Sequence, residues 1–154
     1  HIFLYFYKSF NKIVVRYGFN VFFDHKDFLS KKKANLLISN CFRMYFMNRE
    51  QKLSHYYRFV YNLLKFIDGS NLSDVHKKKY VNILRAQLSD YELLMLFYNG
   101  QSPKGKKFIF YFEKYSLLDN LPVNKLIFKI HVVFCEKSAW GDNDEALRYF
   151  PQTD

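Results

Sequence analysis

A chain of 154 residues with 49% apolar and 21% aromatic side chains is the size of one domain and buries enough surface to fold unaided, which excludes disorder and a disulfide-held scaffold. Its net charge of +10 sits in one half: residues 1–80 carry 15 basic and 5 acidic side chains, and residues 81–154 carry 9 of each. An anionic partner is therefore expected, whether RNA, DNA, a membrane surface or an acidic protein, although the 18 Phe, 13 Tyr and many Lys also follow from AT-rich codons.

The expected architecture is mainly α, a single compact helical domain of about six to seven helices over residues 1–154, with an irregular tail at 138–154. Ile2 to Tyr17 places Phe3, Phe6, Phe10, Ile13, Val14 and Tyr17 at three- and four-residue steps, and Gly18 breaks that helix. Phe28 to Met47 repeats the pattern through Leu36, Leu37, Asn40, Cys41, Met44 and Tyr45. Lys31, Lys32 and Lys33 stand near its start, where they oppose the helix dipole; they are either solvated charges or an anion-binding group.

Tyr56, Val60, Leu63, Leu64 and Ile67 predict a third helix, closed by Asp68-Gly69-Ser70-Asn71. Ser73 caps a fourth, with Tyr80, Ile83, Leu84 and Leu88 on its apolar face. Ser89-Asp90-Tyr91-Glu92 is a capping box opening a fifth helix. Tyr91 to Tyr98 is apolar nearly all round, so it belongs at the centre of the core, and Gly100 supplies a left-handed stop. Pro103 suits the first turn of a sixth helix over about 104–115, before Asp119-Asn120-Leu121-Pro122. Residues 125–134 fit helix better than strand, because Ile127 and Val133 break the alternation of Leu126, Phe128, Ile130, Val132 and Phe134. No internal repeat or interdomain linker interrupts the chain.

Cys41 and Cys135 lie far apart and in no Cys-x-x-Cys spacing, the pattern of buried thiols in a reducing compartment. No apolar run reaches the roughly 18–20 residues that span a bilayer, since Lys8, Lys12 and Arg16 interrupt the best candidate. The chain opens on His1 rather than Met, followed by apolar Ile2 to Tyr7, as though a segment preceded it. The expected localisation is cytoplasmic for the chain as it stands, or membrane-anchored for a longer protein that keeps this domain in the cytoplasm.

Two blocks in the middle of the chain form a recognisable set. The first is His55-Tyr56-Tyr57-Arg58-Phe59-Val60-Tyr61 with Leu64-Lys65-Phe66-Ile67-Asp68. The second runs from Tyr80 and Leu84-Arg85-Ala86-Gln87-Leu88-Ser89 through Glu92-Leu93, Leu96-Phe97-Tyr98-Asn99, Gly105-Lys106 and Glu113-Lys114-Tyr115 to Asp119-Asn120-Leu121. In order and spacing, over about residues 52–122, they resemble the bacterial phage abortive infection family of AbiC type. The resemblance implies a role in defence, in which infected cells stop growing or die before phage progeny are released, and it supplies no mechanism. Family members often carry hydrophobic N-terminal segments ahead of the matched region, which would tether a full-length protein to a membrane.

That match singles out Arg58, Tyr61, Arg85, Gln87, Ser89, Glu92 and Asn99, a dense polar set within apolar helices. Buried polar groups must be paired, so these residues either tie helices together or, through Arg58 and Arg85, form a pocket for phosphate or carboxylate. Arg49 and His55, six residues apart, are candidates for metal-independent RNA cleavage of the HEPN type, with Arg holding a phosphate and His assisting the 2′-hydroxyl; Glu50 departs from the usual polar residue after Arg. The alternative is a surface arginine and a helix-start histidine.

Residues 100–107, Gly-Gln-Ser-Pro-Lys-Gly-Lys-Lys, approach a phosphate-binding loop, but Lys107 replaces the magnesium-holding hydroxyl and a helix precedes the loop, so a basic connection is expected. His25, His76 and His131 stand singly, and neither cofactor nor metal is expected. The preferred function is a non-enzymatic defence module that holds RNA, a protein or a membrane-associated partner through the basic half. The alternatives are a ribonuclease effector and a structural subunit of a larger defence complex. Candidate partners are RNA, an acidic protein, a membrane reached through an upstream segment, and a second copy of the chain.

Overall fold

The computed structural model describes residues 2–16 and 28–151; His1, Tyr17, the break expected at Gly18, His25 and the tail beyond Pro151 lie outside them. The fold is mainly α, with no strand among the described residues. Its helices are α1 (Ile2–Arg16), α2 (Phe28–Met47), α3 (Glu50–Asp68), α4 (Asp74–Gln87), α5 (Asp90–Gly100), α6 (Phe108–Tyr115) and α7 (Asp144–Leu147). Three 3-10 turns, Val123–Lys125, Lys129–Phe134 and Lys137–Trp140, connect α6 to α7.

At the centre lies α5, in which every residue from Leu93 to Gly100 is buried, as its all-round apolar sequence predicts. The capping box fixes where it starts: the Glu92 amide donates to Ser89 Oγ at 3.3 Å, and the Ser89 amide donates to Glu92 Oε2 at 2.8 Å. Phe10 of α1 packs 5.1 Å from Tyr98 of α5 and 5.4 Å from Phe42 of α2, centroid to centroid. Phe6, Phe10 and Val14, at successive four-residue steps, are the buried stripe of α1.

On α2 the buried face is Ala34, Ile38, Cys41, Phe42, Tyr45 and Phe46, whereas Leu36 and Met44, expected in the stripe, are exposed along with Asn40. Bulky rings take the inner positions because Phe10 and Tyr98 meet them there. A similar turn of the helix affects α4: Val81 alone is buried, and Tyr80 and Ile83 face outward. α4 packs chiefly on α3, so it needs only a narrow apolar edge, to which Leu84 and Leu88 add partial burial. α3 begins at Glu50, upstream of its expected stripe, because Leu53 and Tyr57 extend the buried face formed by Val60, Leu64 and Ile67.

Gly100 is not the left-handed stop anticipated for it but the last residue of α5. A β-carbon there would lie 2.7 Å from the Phe112 ring, so close packing against α6 is what the glycine permits. α6 begins at Phe108 instead of about residue 104, because the 101–107 segment folds into consecutive tight turns: the Gly105 amide donates to the Ser102 carbonyl at 3.1 Å and the Phe108 amide to the Gly105 carbonyl at 2.9 Å. Ser116, at φ 51°, ends α6.

The 125–134 segment forms 3-10 turns and no α-helix. The Tyr98 hydroxyl accepts from the Ile127 amide at 2.8 Å and lies 3.1 Å from His131 Nδ1, which pins the segment to α5 at two points. Past Ser138 the chain is more regular than its composition suggests. Trp140 is fully buried against Phe97 and donates from Nε1 to the Val132 carbonyl at 3.1 Å, and Asn143 caps α7 by accepting from the Ala146 amide.

Candidate functional site

The corner between α2 and α3 is held by Arg49. Its guanidinium donates to the Tyr45 carbonyl at 3.2 Å and to Ser9 Oγ at 2.8 Å, and lies 4.5 Å from the Tyr45 ring centroid. Those contacts join α1, α2 and α3, and they set the course of α3 past the end of α5. At the far end of α5 the Ser102 amide and hydroxyl both donate to the Asn99 carbonyl, at 2.9 Å and 2.7 Å, so the chain turns back on itself. Lys104 and Lys107 are thereby swung toward α3.

Between these elements lies a cavity of about 310 Å³. Phe46, Tyr57, Tyr61 and Phe108 form its aromatic walls. Ser54 and Asn99 supply neutral polar groups, and Arg58, Lys104, Lys107 and Glu50 supply the charges. A smaller space of about 180 Å³ adjoins it, sharing Phe46, Asn99 and Lys104 and reaching Phe42 and Pro103. Tyr61 stands edge-on to Phe108 and Tyr111, with centroids 5.5 Å and 5.7 Å away. The Tyr57 hydroxyl points elsewhere, donating to the Met95 carbonyl at 3.4 Å.

Lys104 pairs with Glu50 at 2.7 Å and sits 5.4 Å from the Phe46 centroid; the pair is solvent-exposed and stabilises the fold little. Arg58 and Lys107, both exposed, have no carboxylate partner among the described residues. Asn99 is 96% buried, being 4% exposed, and its side-chain amide makes no hydrogen bond among the described residues.

Three of the polar residues singled out in the sequence, Arg58, Tyr61 and Asn99, thus converge on one cavity. The others do not. Arg85 leaves α4 toward the end of α6, where its Nη1 lies 3.0 Å from Asp119 Oδ2 and donates to the Ser116 carbonyl at 3.0 Å. It does not line the cavity with Arg58, so the two arginines form no shared pocket. Ser89 and Glu92 are spent on the cap, with Glu92 also near the Tyr56 hydroxyl, which burial and then that carboxylate hold firmly protonated. Gln87 is exposed at the end of α4.

Arg49 and His55 border a broad open depression with Glu50, Lys52 and Ser54, and His55 is exposed. Lys32 and Lys33 are exposed and Lys31 half-buried in the first turns of α2, about 20 Å from the Phe46 end of that helix at 1.5 Å per residue. They form a second basic group, apart from the cavity.

Sequence reasoning passed over Asp68 as a turn residue. Its Oδ1 accepts from Lys114 Nζ and from the Tyr115 hydroxyl, each at 2.6 Å, and its carbonyl accepts from Lys77 at 2.7 Å, so it clamps α3, α4 and α6. Those hydrogen bonds, Lys114 first, hold its carboxyl below the ordinary range. The presence of Asp68, Lys114 and Tyr115 in the resembling blocks was the available signal. His131 is buried beside Tyr98 and stacked on Phe134 at 4.6 Å, and His76 is exposed at 2.7 Å from Ser73 Oγ. Cys41 and Cys135 are free and buried, and burial pushes the two thiols up, to about 11 and about 12. Among the described residues no group of His, Cys, Asp and Glu is placed to hold a metal, and no helix is long and apolar enough to cross a membrane.

The sequence profile of one family, described as "Putative phage abortive infection protein", matches residues 48–126, more than half of the chain. The match runs from the α2–α3 corner to the first 3-10 turn after α6, and takes in the cavity-lining residues apart from Phe46, the Asp68 clamp and the Arg85–Asp119 pair. α1, the three lysines of α2 and the Trp140 segment lie outside it. No curated protein and no solved structure matches the chain. With its central helices and the cavity between them inside the matched region, the chain belongs to the phage abortive infection protein family that this profile describes.

Proposed function

We propose that the chain serves bacterial anti-phage defence as a binding module without catalysis of its own, and that its partner is RNA. The observation that carries this reading is the set of cations that have no carboxylate partner among the described residues at the two ends of α2: Lys32 and Lys33 at its start, Arg58 and Lys107 beside its end. Separated cationic groups of this kind suit a polyanion that extends across a face, and counterion release would then supply much of the binding free energy. The abortive infection family supplies the biological setting, growth arrest or death of an infected cell.

A ribonuclease reading has one observation in its favour, that Arg49 and His55 border the same depression. Against it, the Arg49 guanidinium already serves the Tyr45 carbonyl and Ser9, which leaves it poorly placed to hold a scissile phosphate.

Purification of the chain from an overexpressing bacterial host, with absorbance ratio and sequencing of bound nucleic acid before and after a high-salt wash, tests the proposal. RNA that co-purifies, leaves in salt, and is absent when Lys31, Lys32 and Lys33 are neutralised is the expected result. Protein free of nucleic acid at low salt overturns it. Loss of phage protection in Arg49→Ala or His55→Ala variants that still fold and still hold RNA would instead favour cleavage.

A further inference from the structure

We propose that the cavity between α3, the end of α5 and the 101–108 segment is a binding site for a single nucleotide unit, held base inward with its phosphate at the mouth. The inference stands on the cavity's own geometry and does not require the RNA contacts of Lys31, Lys32 and Lys33.

The buried polar residue of the site is Asn99. Asn99 is 96% buried as a residue, and its side-chain amide lines the cavity with no hydrogen bond among the described residues, so its donor and acceptor are open to a ligand. A planar ligand edge that offers one acceptor beside one donor satisfies both, and the N6/N7 edge of adenine is such an edge. Half-buried Tyr61, braced edge-on by Phe108, supplies an aromatic wall beside it against which a base can pack.

The mouth has the opposite chemistry. Arg58, Lys104 and Lys107 are exposed there with Glu50 as the one acid, three positive charges less one negative, a net of +2. A phosphate monoester carries about −1.5 to −2 at neutral pH, which this charge complements. At about 310 Å³ the cavity admits one nucleotide and not a strand, near the lower end of the roughly 300–1,000 Å³ typical of small-molecule sites. The order of the groups also decides against a phosphotyrosine side chain. That ligand would carry its phosphate inward ahead of the ring, whereas here the cations are exposed and the amide belongs to a buried residue.

Titration calorimetry on the whole chain with adenosine 5′-monophosphate, adenosine, inorganic phosphate and a short oligoadenylate tests the site. The expected result is binding of the monophosphate, with adenosine and phosphate each at least about tenfold weaker, and a loss of about tenfold in each of Arg58→Ala and Lys107→Ala, whose exposed positions spare the fold. Asn99→Ser is expected to erase a preference for the adenine over the uridine monophosphate; should that buried change unfold the chain, the two surface variants still decide. Binding of the oligoadenylate but not the monophosphate, weakened by Arg58→Ala, would keep the site and identify a strand as the source of the nucleotide. Phosphate binding as tightly as the nucleotide, indifference to both surface variants, or no binding of either nucleotide form overturns the proposal. A chain that binds the monophosphate yet co-purifies without RNA would retain this site while the RNA reading failed.

Discussion

A β-carbon on Gly105 would lie 2.0 Å from the carbonyl oxygen of Asn99 and 2.6 Å from its side-chain nitrogen, so the 101–107 turn can close on the end of α5 only with glycine at that position. The nearest obstacle is backbone, which cannot swing aside as a side chain could. Gly105→Ala must therefore push the turn off α5, break the Gly105–Ser102 hydrogen bonds and withdraw Lys104 and Lys107 from the cavity. The expected loss is about 3 kcal/mol in urea unfolding, at the upper end of ordinary single substitutions. An unfolding midpoint equal to that of the parent chain would show that the turn does not rest on Asn99.

Arg58 and Arg85 should separate cleanly in experiment, although the sequence presents them as a pair. Arg85→Ala leaves the Ser116 carbonyl and the partly buried Asp119 without their cation, so it should lower stability by about 2 kcal/mol and leave anion binding unchanged. A double-mutant cycle with Asp119→Ala should return a coupling of about 1–2 kcal/mol. Arg58→Ala, at an exposed position, should do the reverse. Weakened RNA binding in the Arg85 variant at full stability would restore the shared-pocket idea that the structure argues against.

What could be foreseen from sequence follows the range of the interaction. The Ser89–Glu92 capping box spans three residues and is written in local order, so both the start of α5 and the atoms that secure it were readable. The bounds of α2 were readable for the same reason. Which of its faces turns inward was not, because Phe42 and Phe46 win that position through contacts with Phe10 and Tyr57, residues of other helices. The polar set of the candidate site was visible as a composition anomaly, yet its division was hidden. Arg85 is claimed by Asp119, 34 positions away, and Lys104 and Lys107 reach the cavity of Arg58 and Asn99 because the 101–107 turn folds back. That turn was read as a basic connection despite its near match to a phosphate-binding loop, and it does join α5 to α6, its glycine packed on Asn99 and Lys104 and Lys107 lining the cavity.

Asp68 should behave as a structural clamp. Its carboxylate is held by Lys114 and Tyr115, and its pKa lies below the ordinary 3.8. A depressed folded-state value means that the contribution is complete above the unfolded pKa and disappears as pH falls through the folded one. Asp68→Asn is expected to lose about 1–2 kcal/mol near neutral pH, a modest figure because Lys114 is partly exposed. That deficit should shrink toward zero in strong acid, where the parent carboxyl is also protonated. A deficit constant with pH would mean that charge plays no part in the clamp.

His131 sets the response to mild acid. It is buried between Tyr98 and Phe134, and burial lowers its pKa from 6.5 to about 3. Protonation is therefore favoured in the unfolded chain, where the imidazole is in water. Above about pH 6.5 both states are neutral and the group contributes no pH dependence; as pH falls below that value the unfolded state takes up a proton that the folded state refuses. Stability should then decline by up to about 1.4 kcal/mol per pH unit until the folded pKa is reached. His131→Gln keeps a polar neighbour for the Tyr98 hydroxyl and cannot be protonated, so it should flatten this part of the curve even if it lowers stability at neutral pH. Urea midpoints followed from about pH 7.5 to about pH 5 measure the difference, and parallel slopes for parent and variant would mean that His131 is already solvated in the fold.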